Sequence, residues 1–255
     1  MKIISTIPEL KEFIACAKAE NEKIGFVPTM GALHSGHISL VKQSLLDNDM
    51  VVVSIFVNPT QFNDKNDLKN YPRTLEKDYE MLRETGCNVV FVPAPEEMYP
   101  EPDTRKFEFG ELETVMEGKF RPGHFNGVAQ IVSKLFDAVK PHSAYFGEKD
   151  FQQLAIIRKM AEQLGLDIEI ISCPIVREES GLAKSSRNEL LSSEERKKAA
   201  LISKTLFESC TFANTMSVGA LKSWVTEQIN AEPALQVEYF EIVEGIGMDG
   251  VIEKV

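Results

Sequence analysis

Short runs of β-branched and aromatic residues at 24–27, 51–57, 89–92, 144–146 and 168–171 recur along the chain, with helix-period stretches between most of them. A strand that is apolar along its whole length has both faces covered, and the intervening helices are the elements that cover it. The rhythm restricts the chain to a parallel α/β sheet, whose right-handed crossovers bring the loops after the strands to one edge. Apolar spacing predicts helices over 7–19, 36–47, 75–84, 125–139 and 151–164; in the last, Phe151, Leu154, Ile157, Ala161 and Leu164 share a face. Residues 93–122 are rich in Pro, Glu and Lys and lack a period, which reads as a surface excursion or a mobile flap.

After Pro174 the pattern changes. Helices are expected over 192–209 and 218–229, and strands over 237–243 and 251–255. Ser192 with Glu195 matches a capping box for the first of these helices. The chain thus divides into a main domain, residues 1–173, and a small α+β domain, residues 174–255.

With 255 residues, 43% of them hydrophobic, the sequence is long enough for that division. The net charge of −11 repels polyanions, so nucleic acid and anionic membranes are not expected partners, and any phosphate must be held by local positive charge. Cys16, Cys87, Cys173 and Cys210 are far apart and form no C-x-x-C pair. Neither a zinc site nor a disulfide framework is expected, and a reducing cytoplasm fits best. No run of about 18 apolar residues occurs, so a soluble, unexported protein is expected.

The strand predicted at 24–27 runs into Pro28-Thr-Met-Gly-Ala-Leu-His34-Ser-Gly-His37 and then into a helix. A helix N-terminus leaves N–H groups unpaired and carries about half a positive charge, which suits phosphate. Histidines three apart share one face, and each can donate to a phosphoryl oxygen. A protonated one would neutralise charge that develops in phosphoryl or nucleotidyl transfer. A single histidine often serves only a structural hydrogen bond, but two in a glycine-flanked turn favour a functional reading. Zinc would need a third ligand; His124 and His142 stand in unrelated contexts, which leaves metal-dependent hydrolysis a minor alternative.

Other loop ends carry polar groups with two readings each. In Gly147-Glu-Lys149-Asp150-Phe-Gln-Gln153, Asp150 and Gln153 match a capping box whatever the function. Lys149 can equally reach a phosphate, and Asp150 a ribose hydroxyl. Lys184-Ser-Ser-Arg187-Asn188 is either a solvated loop or a phosphate clamp. Asn58 and Gln61 either serve a turn or read a hydroxy acid through their amides. Tyr71-Pro-Arg-Thr74 opens a helix on which Asp78 faces either a metal or water.

In chain order, 28–37, Asn58-Pro-Thr-Gln-Phe62, Tyr71-Pro-Arg-Thr74, Arg121-Pro-Gly-His-Phe125, Gly147-Glu-Lys-Asp150 with Gln152-Gln153, and Lys184-Ser-Ser-Arg-Asn188 resemble the pantoate–β-alanine ligase family. The histidine pair alone would indicate only the wider HxGH nucleotidyltransferase superfamily; the amide-bearing and Gly-Glu-Lys-Asp segments narrow it. The resemblance implies an α/β fold: a Rossmann-like parallel-sheet domain for nucleotide and pantoate, with a smaller C-terminal α+β lid domain. It implies ATP-dependent condensation of (R)-pantoate with β-alanine to pantothenate, AMP and pyrophosphate through a pantoyl adenylate, a step toward coenzyme A.

By the same resemblance His34, His37 and Lys149 are catalytic, with His37 also a candidate proton donor. Met30, Gly31, Ala32, Leu33, Ser35 and Gly36 line the nucleotide cleft together with Gly147, Glu148, Lys149 and Asp150. Val176 meets adenine through its backbone, while Lys184, Ser185, Ser186 and Arg187 close over the phosphates. Gln61 and Gln153 hold pantoate with Asn58 and His124, and Gln61 also lies near β-alanine. ATP is expected with Mg²⁺, without a tightly bound organic cofactor, in a homodimer. Two departures stand out: Lys184 occupies a position where many relatives carry Met or Leu, and the region after Val243 is shorter than is common. Two rival readings remain, a nucleotidyltransferase that leaves AMP or CMP on its product and a non-catalytic nucleotide sensor.

Overall fold

Six parallel strands in the order β1-β4-β3-β2-β5-β6 form the centre of the computed structural model, which describes residues 1–244. They are β1 (Lys2–Ile4), β2 (Ile24–Thr29), β3 (Met50–Ile55), β4 (Val89–Phe91), β5 (Ser143–Gly147) and β6 (Glu169–Cys173). The chain divides into two units, Met1–Ile175 and one that begins at Val176.

In the first unit the strands alternate with α1 (Ile7–Ala19), α2 (Ser35–Asp47), α3 (Lys65–Asn70), α4 (Leu75–Thr85), α5 (Pro95–Met98), α6 (Met116–Phe120), α7 (His124–Val139) and α8 (Phe151–Gln163). Strand β3 shows why its sequence lacks alternation. Met50 and Val52 enter one buried cluster with α1, α7 and α8, whereas Val51 and Val53 enter a second with α2 and α4. Both faces of the sheet are covered, so every position of β3 is buried. β2 pairs with β3 from Ile24 opposite Met50 to Thr29 opposite Ile55, which brings the two carboxyl ends level.

Some expectations need correction. Strand β1 was missed because three residues carry too little pattern. In α8, Leu154, Ile157 and Ala161 are buried, but Phe151 and Leu164 at its two ends are exposed. The aperiodic stretch is not a flap; it is a surface excursion pinned by short elements and side chains. Met98 and Phe109 are buried, Asp103 pairs with Arg105 at 2.6 Å, and Gln130 of α7 donates to the carbonyls of Asp103 and Arg105 at 3.0 and 2.7 Å.

The second unit opens with a tight antiparallel bridge between Arg177 and Ala183, followed by a 3₁₀ turn, Ser186–Leu190. Helices α9 (Ser193–Phe212) and α10 (Val218–Asn230) follow. The Ser192–Glu195 capping box forms as its spacing predicts, and Val218, Leu221, Val225 and Ile229 bury one stripe of α10. Residues 237–243 are coil apart from a bridge position at Val243, not a strand; alternation alone does not make one when no strand among the described residues supplies a ladder. The strand expected at 251–255 lies outside the described residues.

Candidate active site

Strand order reverses at β2: β3 and β4 lie to one side of it, β5 and β6 to the other. Open α/β sheets bind ligands beyond the carboxyl ends of the strands at such a switch point. β2 ends at Thr29 and delivers the histidine turn, while β5 ends at Gly147 and delivers the 3₁₀ turn Glu148–Asp150. Two of the segments singled out by sequence therefore follow neighbouring strands at the switch point.

The first turn is tied at each residue. Thr29 Oγ1 donates to the Ser54 carbonyl at 2.7 Å and accepts from the Gly31 N–H at 3.1 Å. Gly31 and Ala32 are left-handed, with φ of 76° and 48°, the second at a strain of about 1–3 kcal/mol for a residue with a Cβ. Successive amides in such a turn form a concavity that holds an anion. Here the anion is protein: Asp78 accepts from Ala32 N–H at 3.0 Å on one oxygen, and from Leu33 N–H at 2.8 Å and Thr74 Oγ1 at 3.0 Å on the other.

That settles which of two partners Asp78 does not face. Asp78 is 1% exposed and faces the turn rather than bulk water. The N–H groups of Gly31, Ala32 and Leu33 are bonded inside the protein, and the Ala32 and Leu33 side chains are buried.

The histidines form a reciprocal capping box at the start of α2. His34 Nδ1 accepts from the Gly36 N–H at 3.1 Å, and His37 Nδ1 accepts from the His34 N–H at 3.3 Å. An Nδ1 that accepts cannot carry the proton, so each neutral ring is the Nε2–H tautomer. The rings lie 4.0 Å apart, centroid to centroid. Although part of His37 reaches solvent, its surroundings push the pKa down to about 3, through burial first and then the charges of His34 and Lys149. With these surroundings His37 is a neutral Nε2–H hydrogen-bond donor near neutral pH.

The second turn is looser. The Lys149 ammonium lies 3.1 Å from the Asp150 carboxylate in a largely exposed pair. Asp150 precedes α8 but makes no side-chain cap, so the expected box with Gln153 does not form. Its neighbour Gln152 is buried and structural: it donates to the Leu112 and Val115 carbonyls and accepts from the Glu117 N–H. Gln153 is half-buried on the adjoining face.

Beyond β3 an amide network is held against α7. Asn58 Nδ2 donates to Gln61 Oε1 and to the Gly127 carbonyl, both at 3.1 Å, and Tyr99 OH donates to Asn58 Oδ1 at 2.8 Å. Helix and turn approach so closely that a Cβ on Gly127 would lie 2.6 Å from the Thr60 carbonyl oxygen. Gln61 Nε2 donates to Met30 Sδ at 3.2 Å, which links this network to the end of β2. His124 Nδ1 lies 2.7 Å from the Gln61 carbonyl, and burial lowers its pKa, so the ring donates there as a neutral group. Asp150 also acts electrostatically on His124. Tyr99, which sequence reasoning missed, comes from the aperiodic stretch and had no local signal.

A cavity of about 310 Å³ adjoins the turn, lined by Met30, Gly31 and Ala32 together with Arg73, Asp78 and Pro93 among others. Met30, Gly31, Ala32 and Asp78 are the only predicted site residues in its wall.

In the second unit the polar run is organised by Glu178. One of its carboxylate oxygens lies 3.8 Å from Lys184 Nζ and 3.5 Å from Arg196 Nη1, and accepts from Asn188 Nδ2 at 3.3 Å. Ser185 Oγ caps the 3₁₀ turn by accepting from the Arg187 N–H, Ser186 is buried, and the Val176 carbonyl accepts from the Lys184 N–H. Among the described residues, no group of three or more His, Cys, Asp or Glu is placed to hold a metal, and no helix is long and apolar enough to cross a membrane.

Comparison with known proteins bears on this geometry. The family model described as pantoate-beta-alanine ligase matches residues 2–253. The pantothenate synthetase of Bacteroides fragilis strain YCH46 is 62% identical over 245 residues, covering 96% of this chain and 87% of the relative. The crystal structure of pantothenate synthetase from Thermus thermophilus superposes with a TM-score of 0.93 at 43% identity, over 100% of this chain and 91% of that one. The pantoate-beta-alanine ligase of Francisella tularensis, complexed with beta-gamma ATP and beta-alanine, gives 0.86 at 37% identity, over 99% and 96%.

Proposed function

The chain belongs to the pantoate–β-alanine ligase family, and on that premise we propose how its residues divide the work. The enzyme joins pantoate to β-alanine at the expense of ATP. A carboxylate is a poor acyl donor because oxide would have to leave. In the reading proposed here, a pantoate carboxylate oxygen attacks the α-phosphorus of ATP and pyrophosphate departs. The amine of β-alanine then attacks the acyl carbon of the pantoyl adenylate, and AMP leaves with the bonding pair of the C–O bond. Catalysis of this kind is positioning and charge stabilisation.

His34 and His37 donate to phosphate oxygens through Nε2–H as neutral rings, and positive charge comes from Lys149. The observation that carries the reading is the placement of the histidine capping box after β2 and of Lys149 after its neighbour β5, on either side of the switch point, close enough for the lysine charge to act on His37. Met30, Ser35, Gly36, Gly147, Glu148 and Asp150 border the nucleotide. Gln61, Asn58, Gln153 and His124 read pantoate, with the Asn58 and Gln61 amides exchanging their internal partners for its hydroxyl and carboxylate groups. In the second unit, which takes the lid role, Val176, Lys184, Ser185, Ser186 and Arg187 contribute nucleotide and phosphate contacts.

Mg²⁺ accompanies ATP, neutralising charge on the phosphates. Such an ion travels on phosphate oxygens and waters and needs no dedicated cage of side chains, in keeping with the donor sets described. We also propose a cytoplasmic homodimer without a tightly bound organic cofactor, which light scattering and cofactor analysis of the purified protein check. The decisive assay measures AMP release with ATP, pantoate and Mg²⁺, with and without β-alanine. AMP that accumulates catalytically only when β-alanine is present supports ligation; release independent of it, or ATP binding without turnover, would point to the transferase or sensor reading.

A further inference from the structure

We propose that Asp78 is a positioning residue for adenylate formation, filling the anion nest of the 31–33 turn as a built-in anion and so fixing the histidine capping box. The inference rests on the ligase reading and adds a residue to it. Both oxygens of this buried carboxylate meet the turn, and from Leu33 the connection is direct. The next residue, His34, sends its N–H to His37 Nδ1, with no unconstrained residue between carboxylate and imidazole.

The fit is close. A Cβ on Gly31 would lie 3.0 Å from Asp78 Oδ2 and 2.9 Å from Ile55 Cγ2, so the nest has no room for a second anion beside the first. Phosphate is therefore directed past this turn to the start of α2 and the two rings. Asp78 and Thr74 also line the cavity of about 310 Å³, so truncating Asp78 opens the vacated nest to a space that a small carboxylate can enter.

The test separates the two half-reactions. Pantoate-dependent exchange of labelled pyrophosphate into ATP reports adenylate formation, and reaction of pre-formed pantoyl adenylate with β-alanine reports the second step. Asp78→Ala should lower kcat for exchange by about a hundredfold, the scale of a misplaced catalytic group, and leave the second step within about twofold. Formate should restore exchange in Asp78→Ala by about tenfold or more while leaving the wild type and Asp78→Asn unchanged, since the asparagine fills the space yet turns an NH₂ toward a backbone N–H.

Exchange near the wild-type rate in Asp78→Ala, an equal loss in both steps, or no response to formate in a variant that keeps the wild-type Tm would each overturn the proposal. Should Asp78→Ala fail to fold, Thr74→Val removes one donor to the carboxylate. It should slow exchange alone, by about threefold; an equal effect on both steps would again overturn the assignment. Pantoate dependence of exchange in the wild type tests the ligase reading by itself, so its failure would be distinguishable from failure at Asp78.

Discussion

The two turns that flank the switch point are built in opposite ways. After β2, the N–H groups of Gly31 to His34 each have a partner, and one buried carboxylate holds the centre of the turn. After β5, the turn carrying Lys149 has no side-chain cap, and the lysine is held by one exposed ion pair. The contrast suggests that hydrogen-bond donors, whose worth depends on direction, need a fixed frame. A point charge on a flexible stem tolerates a loose one.

Lys149→Ala offers the largest test of that contrast. Turnover should fall by about a thousandfold, the upper range for removing one group that stabilises transition-state charge. The Tm should barely move, because an exposed ion pair contributes about 0–1 kcal/mol. Loss of stability in step with activity would show that the second turn is as tightly structured as the first.

Next in size is a pair of matched substitutions followed by thermal unfolding. Gly31→Ala forces a Cβ into the left-handed region, 2.9 Å from Ile55 Cγ2, and should destabilise by about 1–3 kcal/mol. Gly147→Ala meets nothing within 4 Å and should lie within about 0.5 kcal/mol of wild type. Similar values for the two would erase the distinction.

A further test lies in the pH dependence of stability. His37 has a folded pKa of about 3 against an ordinary 6.5, so between those values the unfolded chain binds the proton and the native protein does not. Its contribution to stability is complete above 6.5 and is lost as pH falls toward 3. Tm should therefore fall less steeply on acidification in His37→Asn than in wild type. The same assignment leaves the wild-type adenylation rate without a His37 titration between about pH 5 and 8.

The smallest change is expected for Lys184→Met, which removes a cation held only 3.8 Å from Glu178. The KM for ATP should rise by about two- to fivefold with kcat little altered, on the scale of one solvent-screened charge contact. A kcat collapse would place Lys184 beside Lys149 in importance.

How much of this was legible in the sequence depended on where the partners of each group lie. The continuous apolar runs announced β2 and β3 because burial on both faces is a local property of the strand. The Ser192–Glu195 box was readable because both partners sit within one turn. Asp150 with Gln153 has the same kind of spacing and forms no box, so the pattern permits a cap without requiring one. The part Asp78 plays in the turn was not legible because the N–H groups it accepts from are 45 and 46 residues away, and only the sheet's crossover brings them together. Tyr99 is 41 residues from Asn58 and comes from a stretch with no period, so no window of sequence could join them. The histidine pair is legible in the sequence, whereas the lowered basicity of His37 is not: the density of protein around a ring is a property of the assembled fold.

If Gln61 reads pantoate as proposed, its contact with Met30 has a consequence for how that substrate enters. A thioether sulfur is a feeble acceptor beside a hydroxyl or carboxylate oxygen, so the glutamine amide is aimed in advance yet loosely engaged. Met30 thus acts as a placeholder. An arriving oxygen takes over the donor with little to displace, and the long unbranched side chain can swing aside without disturbing the strand that carries it.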